Sequence, residues 1–147
     1  ILRSSIHADK VEITTLEKEL TIVKDYLALE YIRFEDRLQV IYEVDTTTLQ
    51  NKVPPMMLQT LVENAIKHGL SKQPGVCEIK IISKFEEDKH VLLVQNTGIL
   101  EKVEKDGFGL QSTRERLNIL YKGMAEFEIY QDAPNHVSAK LKIPIAV

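Results

Sequence analysis

The sequence predicts a two-layer α/β fold: a mixed, mostly antiparallel sheet covered on one face by helices. Three observations lead there. Apolar residues recur at steps of three and four in some stretches and at steps of two in others, in the order α, β, α, β, β, α, β, β. The last four strand segments fall into two pairs joined by short polar turns, which makes hairpins and antiparallel neighbours. The strands mostly alternate in polarity, so one face of the sheet is left to water, unlike a doubly wound parallel sheet.

Each element has its own warrant. Residues 14–37 are expected to form a long amphipathic helix. Thr14 and Glu17 have the capping-box spacing, and Leu16, Leu20, Val23, Leu27, Tyr31 and Phe34 form the apolar stripe. Residues 38–44 change to period two, with Leu38, Val40, Tyr42 and Val44 on one face of a strand. A polar connector over 46–52 leads to Pro54-Pro55, which stops extended structure and can open a helix. The second helix spans 56–70, burying Leu58, Leu61, Val62, Ala65 and Ile66, with Gly69 near its end. Gln73-Pro74-Gly75 is a loop. Strands over 76–85 and 90–95 meet at the charged turn Glu86-Glu87-Asp88-Lys89. After a loop over 97–108, a third helix runs from Leu110 to about Tyr121 and ends at Gly123. Strands over 125–131 and 137–144 join through Asp132-Ala133-Pro134-Asn135, the strongest turn signal in the chain.

Composition narrows the function classes. The 147 residues, 44% apolar and 28% charged, suit one globular domain with a sizeable core. A net charge of −3 gives no electrostatic case for nucleic acid or an acidic membrane. Cys77 is the only cysteine, which rules out an internal disulfide and a cysteine-rich metal site and suits a reducing compartment. No apolar run approaches the roughly 18 residues of a membrane span. The start, Ile1-Leu2-Arg3-Ser4-Ser5, has neither an initiator Met nor a signal-peptide core, so a piece of a longer protein is expected.

Chemistry concentrates in two places. On the second helix Thr60, Asn64, Lys67, His68 and Ser71 share one face beside the apolar one, with Glu63 at its edge. An Asn carbonyl is a neutral oxygen ligand suited to Mg²⁺, and a Lys supplies a point charge for phosphate. The same stripe also reads as a solvated face with a Glu63–Lys67 pair worth a few tenths of a kcal/mol. The second place follows the first hairpin. Asn96-Thr97-Gly98 leaves a buried strand, and Asp106-Gly107-Phe108-Gly109-Leu110 opens the third helix. Glycines there let backbone approach a ligand and let helix N-terminal amides face phosphate. Neither G-x-G-x-x-G nor a P-loop is completed.

In combination these segments resemble a family. Pro55-Met56-Met57-Leu58-Gln59-Thr60-Leu61-Val62-Glu63-Asn64-Ala65-Ile66-Lys67-His68-Gly69 resembles the N box of sensor histidine kinases, in its LytS/YehU form. Val94-Gln95-Asn96-Thr97-Gly98 sits where that family has its first glycine box. Gly107-Phe108-Gly109-Leu110 with Thr113-Arg114-Glu115-Arg116-Leu117 resembles the second. Leu16-Glu17-Lys18-Glu19-Leu20, Tyr26-Leu27, Glu30 and Arg33-Phe34 resemble the stretch joining the phosphoacceptor region to the ATPase domain.

The resemblance implies the Bergerat ATP-binding fold over 38–147, preceded over 1–37 by the tail of the phosphoacceptor and linker region. It implies ATP and Mg²⁺ as cofactors. Asn64 would bind the metal and bridge to the phosphates, with Lys67 and His68 near them. Asn96 would face the adenine amino group and Gly98 would pass the ring. Gly107, Gly109 and Leu110 would belong to the lid over the phosphates, and Glu63 could orient water or metal ligands. The γ-phosphoryl would go to an upstream histidine absent here, since His7, His90 and His136 lack the His-Phe context and His68 belongs to the N box. Further implied partners are the dimerisation domain carrying that histidine and a response regulator, often of the LytTR type. The implied parent is a homodimer anchored in the inner membrane, with this domain in the cytoplasm.

Other readings stay open. Anti-sigma serine kinases and the ATPases of gyrase and Hsp90 share the fold, but those ATPases carry a general-base Glu one turn before the metal-binding Asn, where this chain has Thr60. A degenerate domain that serves as an interaction module without ATP turnover is the other alternative. It draws on two departures: Asn96 replaces the family's Asp, and Lys105 and Ser112 stand where a further Gly and an Asn are usual. A neutral bond to the adenine amine is weaker than a charge-assisted one by about 1 kcal/mol. ATP affinity is therefore expected to be weak and to tighten in Asn96→Asp, as measured by titration calorimetry; tight binding unchanged by the substitution would contradict this.

Overall fold

The computed structural model describes residues 13–70, 75–98 and 108–145, the side chains of 108–110 excepted. In chain order the elements are β1 (Thr14–Thr15), α1 (Leu16–Phe34), β2 (Leu38–Val44), β3 (Lys52–Val53), α2 (Met57–Gly69), β4 (Cys77–Glu86), β5 (Lys89–Thr97), α3 (Phe108–Tyr121), β6 (Glu126–Ala133) and β7 (His136–Pro144). Single 3-10 turns lie at Glu35–Arg37 and Thr46–Thr48.

The α1 boundaries are set by local chemistry. Thr15, not Thr14, is the cap: its Oγ1 accepts from the Lys18 N–H at 3.3 Å. The box expected from Thr14 and Glu17 does not form, because Thr14 pairs with Val53 in the short β1–β3 ladder. The helix stops at Phe34 rather than Arg37 because Glu35 takes φ 50°, a left-handed conformation that a right-handed helix cannot continue through. Leu16, Leu20, Val23 and Leu27 are buried as expected, but Tyr31 is 40% exposed. At roughly 100° per residue, Tyr31 has drifted about 60° from the direction of Leu16, while Phe34 returns to it. Phe34 accordingly packs on the core. α2 and α3 begin at Met57 and Phe108, one residue later and two earlier than expected.

The main sheet has the order β2-β4-β5-β7-β6. β2 is parallel to β4 and every other pair is antiparallel, as a mixed sheet built on two hairpins requires. Period two sorts the faces. Ile79 and Ile81 of β4, Leu92 and Val94 of β5, and Val137, Ala139, Leu141 and Ile143 of β7 face the helices. They form one buried cluster with Leu16, Leu20, Val23 and Leu27 of α1 and Leu58, Leu61, Val62 and Ile66 of α2. The opposite face mixes Ile82, Val91 and Leu93 with charged residues, and its cross-strand register sets Glu126 against Lys142 and Glu128 against Lys140.

Under the β2 end of the sheet lies a buried polar chain. Asn51 Nδ2 donates to His90 Nδ1 at 2.7 Å, so His90 carries its proton on Nε2 and donates to Ser83 Oγ at 2.8 Å. Ser83 Oγ then donates to Thr48 Oγ1 at 2.7 Å, which donates to the Asp45 carbonyl at 2.6 Å. Each donor finds one acceptor, and the connector after β2 is pinned to the β4–β5 hairpin. His90 is 0% exposed, and burial pushes its pKa down to about 4. An unfolded histidine titrates near roughly 6.5, so between the two values the unfolded chain holds a proton that the native state does not. This contribution to stability is present above about pH 6.5 and is lost as the pH falls toward 4. Urea unfolding across that window is expected to show wild-type stability falling by up to about 1.4 kcal/mol per pH unit relative to His90→Gln. Parallel pH profiles for the two proteins would show that His90 is not held neutral.

Candidate functional site

α2 divides its surface between core and cleft. Pro54-Pro55 breaks the chain from β3, and Met56 turns it with φ 66°. Leu58, Leu61, Val62, Ala65 and Ile66 then bury the apolar face. Thr60, Asn64 and His68 recur along the neighbouring face and are half-buried, while Glu63 and Lys67 are exposed. Gln59 Nε2 donates to Glu63 Oε1 at 3.1 Å, so Glu63 is held along the helix.

Three of the expected site residues come together. Asn64 and His68 of α2 and Asn96 of β5 line one narrow cleft with a free volume of about 10 Å³, whose other walls are Leu61, Ala65, Val94, Ile129, Val137 and Ala139. Apolar walls with a few convergent polar groups are the usual composition of a small-molecule site. Asn96 is 4% exposed, and its Nδ2 donates to the Thr97 carbonyl at 2.9 Å. Its Oδ1 is thereby the acceptor of the amide. Lys67 and Glu63 do not line this cleft; they stand on the exposed side of the same helix. Gly107 lies outside the described residues. Gly109 and Leu110 fall in the first turn of α3, and their side chains are likewise outside the description.

The end of the cleft is closed by backbone. A Cβ on Gly69 would collide with Cys77 Sγ and lie 3.0 Å from the Thr97 carbonyl oxygen. A Cβ on Gly98 would lie 2.9 Å from Asn96 Nδ2 and 3.6 Å from the His68 carbonyl oxygen. The last turn of α2 and the end of β5 therefore approach at two glycines, whose missing side chains leave room for Cys77 Sγ and the Asn96 amide. Gln131 braces the far side: its Nε2 donates to the carbonyls of Gly98 at 3.1 Å, Ala133 at 2.8 Å and His136 at 3.0 Å. The Gly98 N–H donates to the Asn135 carbonyl at 2.9 Å, tying the loop to the β6–β7 turn. Gly69 is the last residue of α2, at the end the sequence predicts for it, but its close packing against β5 and the role of Gln131 are not foreseen there. A glycine in the last turn of an amphipathic helix is the available signal for close packing; Gln131 has none.

Alanine for glycine within a helix normally stabilises by about 0.5–1 kcal/mol. At Gly69 the overlap with Cys77 and backbone is expected to reverse the sign, costing roughly 1–3 kcal/mol in Gly69→Ala by chemical denaturation. A neutral or stabilised variant would mean that the helix and strand do not approach this closely.

Comparison with known proteins bears on the sequence and the fold. A family model described as histidine kinase matches residues 1–38. The sensor histidine kinase YesM of Bacillus subtilis is 30% identical over 98% of this chain. The sensor protein LytS of Staphylococcus saprophyticus is 32% identical over 88%, and the sensor histidine kinase YpdA of Escherichia coli 34% identical over 82%. The chain spans about a quarter of the length of these relatives: 26%, 24% and 23% respectively. Among solved structures, the nucleotide-free catalytic domain of the histidine kinase ThkA superposes with a TM-score of 0.70 at 18% identity, covering 90% of this chain and 94% of that one. The histidine kinase domain of Erythrobacter litoralis EL346 gives 0.64 at 17% identity, covering 89% and 61%. Sequence kinship over most of the chain and the catalytic-domain fold converge: the chain belongs to the LytS- and YesM-type sensor histidine kinases.

Proposed function

We propose that this chain is the ATP-binding catalytic unit of a longer two-component sensor kinase and donates the ATP γ-phosphoryl to a histidine in another part of that kinase. The observation that carries the reading is the convergence of Asn64, His68 and Asn96 on one cleft between α2 and the sheet. Apolar walls suit a purine, and the Asn96 Oδ1 acceptor suits its exocyclic amine. Among the described residues no group of three or more His, Cys, Asp or Glu side chains could hold a metal. The half-buried Asn64 carboxamide fits Mg²⁺ that brings phosphate and water as its other ligands. Such an ion supplies neutralisation of phosphate charge when bound. Lys67, exposed one turn beyond Asn64, adds a cation on the solvent side, and Glu63 can orient a metal-bound water. Gly98, Gly107, Gly109 and Leu110 make up the backbone path around the ring and phosphates in this reading.

In the transfer, an imidazole nitrogen attacks the γ-phosphorus, the bond to the ADP oxygen breaks, and the imidazole sheds its proton. The acceptor belongs elsewhere. His90 is fully buried, and His68 lines the nucleotide cleft itself. The proposed division between a linker region (1–37) and the ATPase domain (38–147) is supported by the family-model match ending at residue 38. No helix among the described residues is long and apolar enough to cross a membrane. A membrane-anchored homodimeric parent with this unit on the cytoplasmic side, and a response regulator of the LytTR type as the next acceptor, complete the proposal.

Titration calorimetry is expected to show ATP binding strengthened by Mg²⁺, with Asn64→Ala losing the Mg²⁺-dependent part by about tenfold or more. No binding by the wild-type chain would turn the reading toward an interaction module; an unchanged Mg²⁺ effect in Asn64→Ala would remove Asn64 from the metal site.

A further inference from the structure

α2 has a cation at its negative end and a carboxyl group at its positive end, and both come from α1 and the turn that follows it. Its own caps are weak. Met56, at the N-cap, has no side-chain hydrogen bond to offer. Glu19 of α1 fills this place from outside. It is 2% exposed, the one buried carboxylate among the described residues. The N–H groups of Met56, Gln59 and Leu58 favour its ionised form, as does Arg116 of α3, although burial outweighs them and raises its pKa. These amides stand at the N-terminal end of α2, so the carboxyl group meets that helix through its backbone donors, with Oε1 left without a hydrogen-bond partner. At the other end, Arg37 Nη2 donates to the Leu70 carbonyl at 2.9 Å and Nε donates to the Gly75 carbonyl at 3.0 Å. One guanidinium thus holds the exit of α2 and the approach to β4.

We propose that Glu19 and Arg37 are positioning residues that fix the axial setting of α2 and, through it, the place of Asn64; this rests on the ATP–Mg²⁺ reading of the cleft. The apolar contacts of α1 with α2 are non-directional and tolerate a small slide. The two end contacts do not, because each is anchored to named backbone groups. A slip of one residue along a helix is about 1.5 Å of rise and 100° of turn, enough to take Asn64 away from the cleft. Displacement of about 1 Å at such a site is costly to phosphoryl transfer. Both residues fall within the stretch matched by the histidine kinase model, residues 1–38, so the segment that leads into the catalytic unit is also the one that sets its metal-binding helix.

Calorimetry of this chain with ATP, with and without Mg²⁺, and with adenosine separates positioning from general support. Glu19→Gln and Arg37→Lys are each expected to weaken Mg²⁺-ATP binding by about three- to tenfold. Adenosine, which reads the sheet side of the cleft, is expected to change by less than about twofold. Hydrogen exchange is expected to quicken in the first turn of α2 for Glu19→Gln and in its last turn for Arg37→Lys. Equal loss for Mg²⁺-ATP and adenosine, or no loss for either, would overturn the inference. Should Glu19→Gln fail to fold, Glu19→Asp keeps the charge one methylene short and is expected to show a smaller loss of the same kind. Failure of the wild type to bind ATP would sink the nucleotide reading and this inference with it, and is distinguished by the wild type failing rather than the variants.

Discussion

The arrangement depends on a helix and a strand that touch through bare backbone. Where Gly69 meets Thr97, and Gly98 meets the His68 carbonyl, neither glycine has a side chain to act as a spacer. Close approach fixes distance more firmly than interdigitated side chains do, because a side chain can change rotamer and a peptide cannot. The consequence spreads outward. With that end of α2 fixed against β5, the face carrying Asn64 and His68 has to look across the sheet at Asn96, and the apolar face has to rest on β4, β5 and β7. The cleft is the space left by this geometry.

Polarity is distributed to suit. The side of the core beneath β2 is closed by a chain of neutral hydrogen bonds from Asn51 through His90, Ser83 and Thr48 to the Asp45 carbonyl, with each donor matched to an acceptor. The cleft side keeps its polar groups in reach of solvent: Asn64 and His68 are half-buried on α2. A fully matched polar network stiffens a core, and a partly open one is where a polar ligand finds its bonds. The molecule separates these two uses of buried polarity to opposite ends of the same sheet.

Much of this was legible in the sequence, for physical reasons. The two hairpins were marked by turn chemistry and period two, and the polar stripe of α2 by the helical period. Asn64, His68 and Asn96 were singled out by residue type and place, and the fold brings them to one cleft. Boundaries were harder. Thr14 and Thr15 are equivalent as capping residues, and only the pairing of Thr14 with Val53 decides between them. Glu35 gives no local sign of a left-handed backbone. Tyr31 fits an apolar repeat on paper because periodicity does not record angular drift over four turns. What sequence could not supply was tertiary: a glycine whose purpose is to be approached, a glutamine that gathers three carbonyls, and a buried Glu19 that serves a helix other than its own.

Cys77 draws a different kind of consequence from the same junction. Its thiol is 2% exposed, burial pushes its pKa up to about 11, and its sulfur fills the space that a Gly69 side chain would need. The reactive species in thiol chemistry is the thiolate, and here it is both scarce and walled in. An alkylating or oxidising reagent therefore meets this cysteine only when α2 lifts from β4. The rate of its modification becomes a clock for that local opening, set by the free energy of the junction rather than by the chemistry of sulfur.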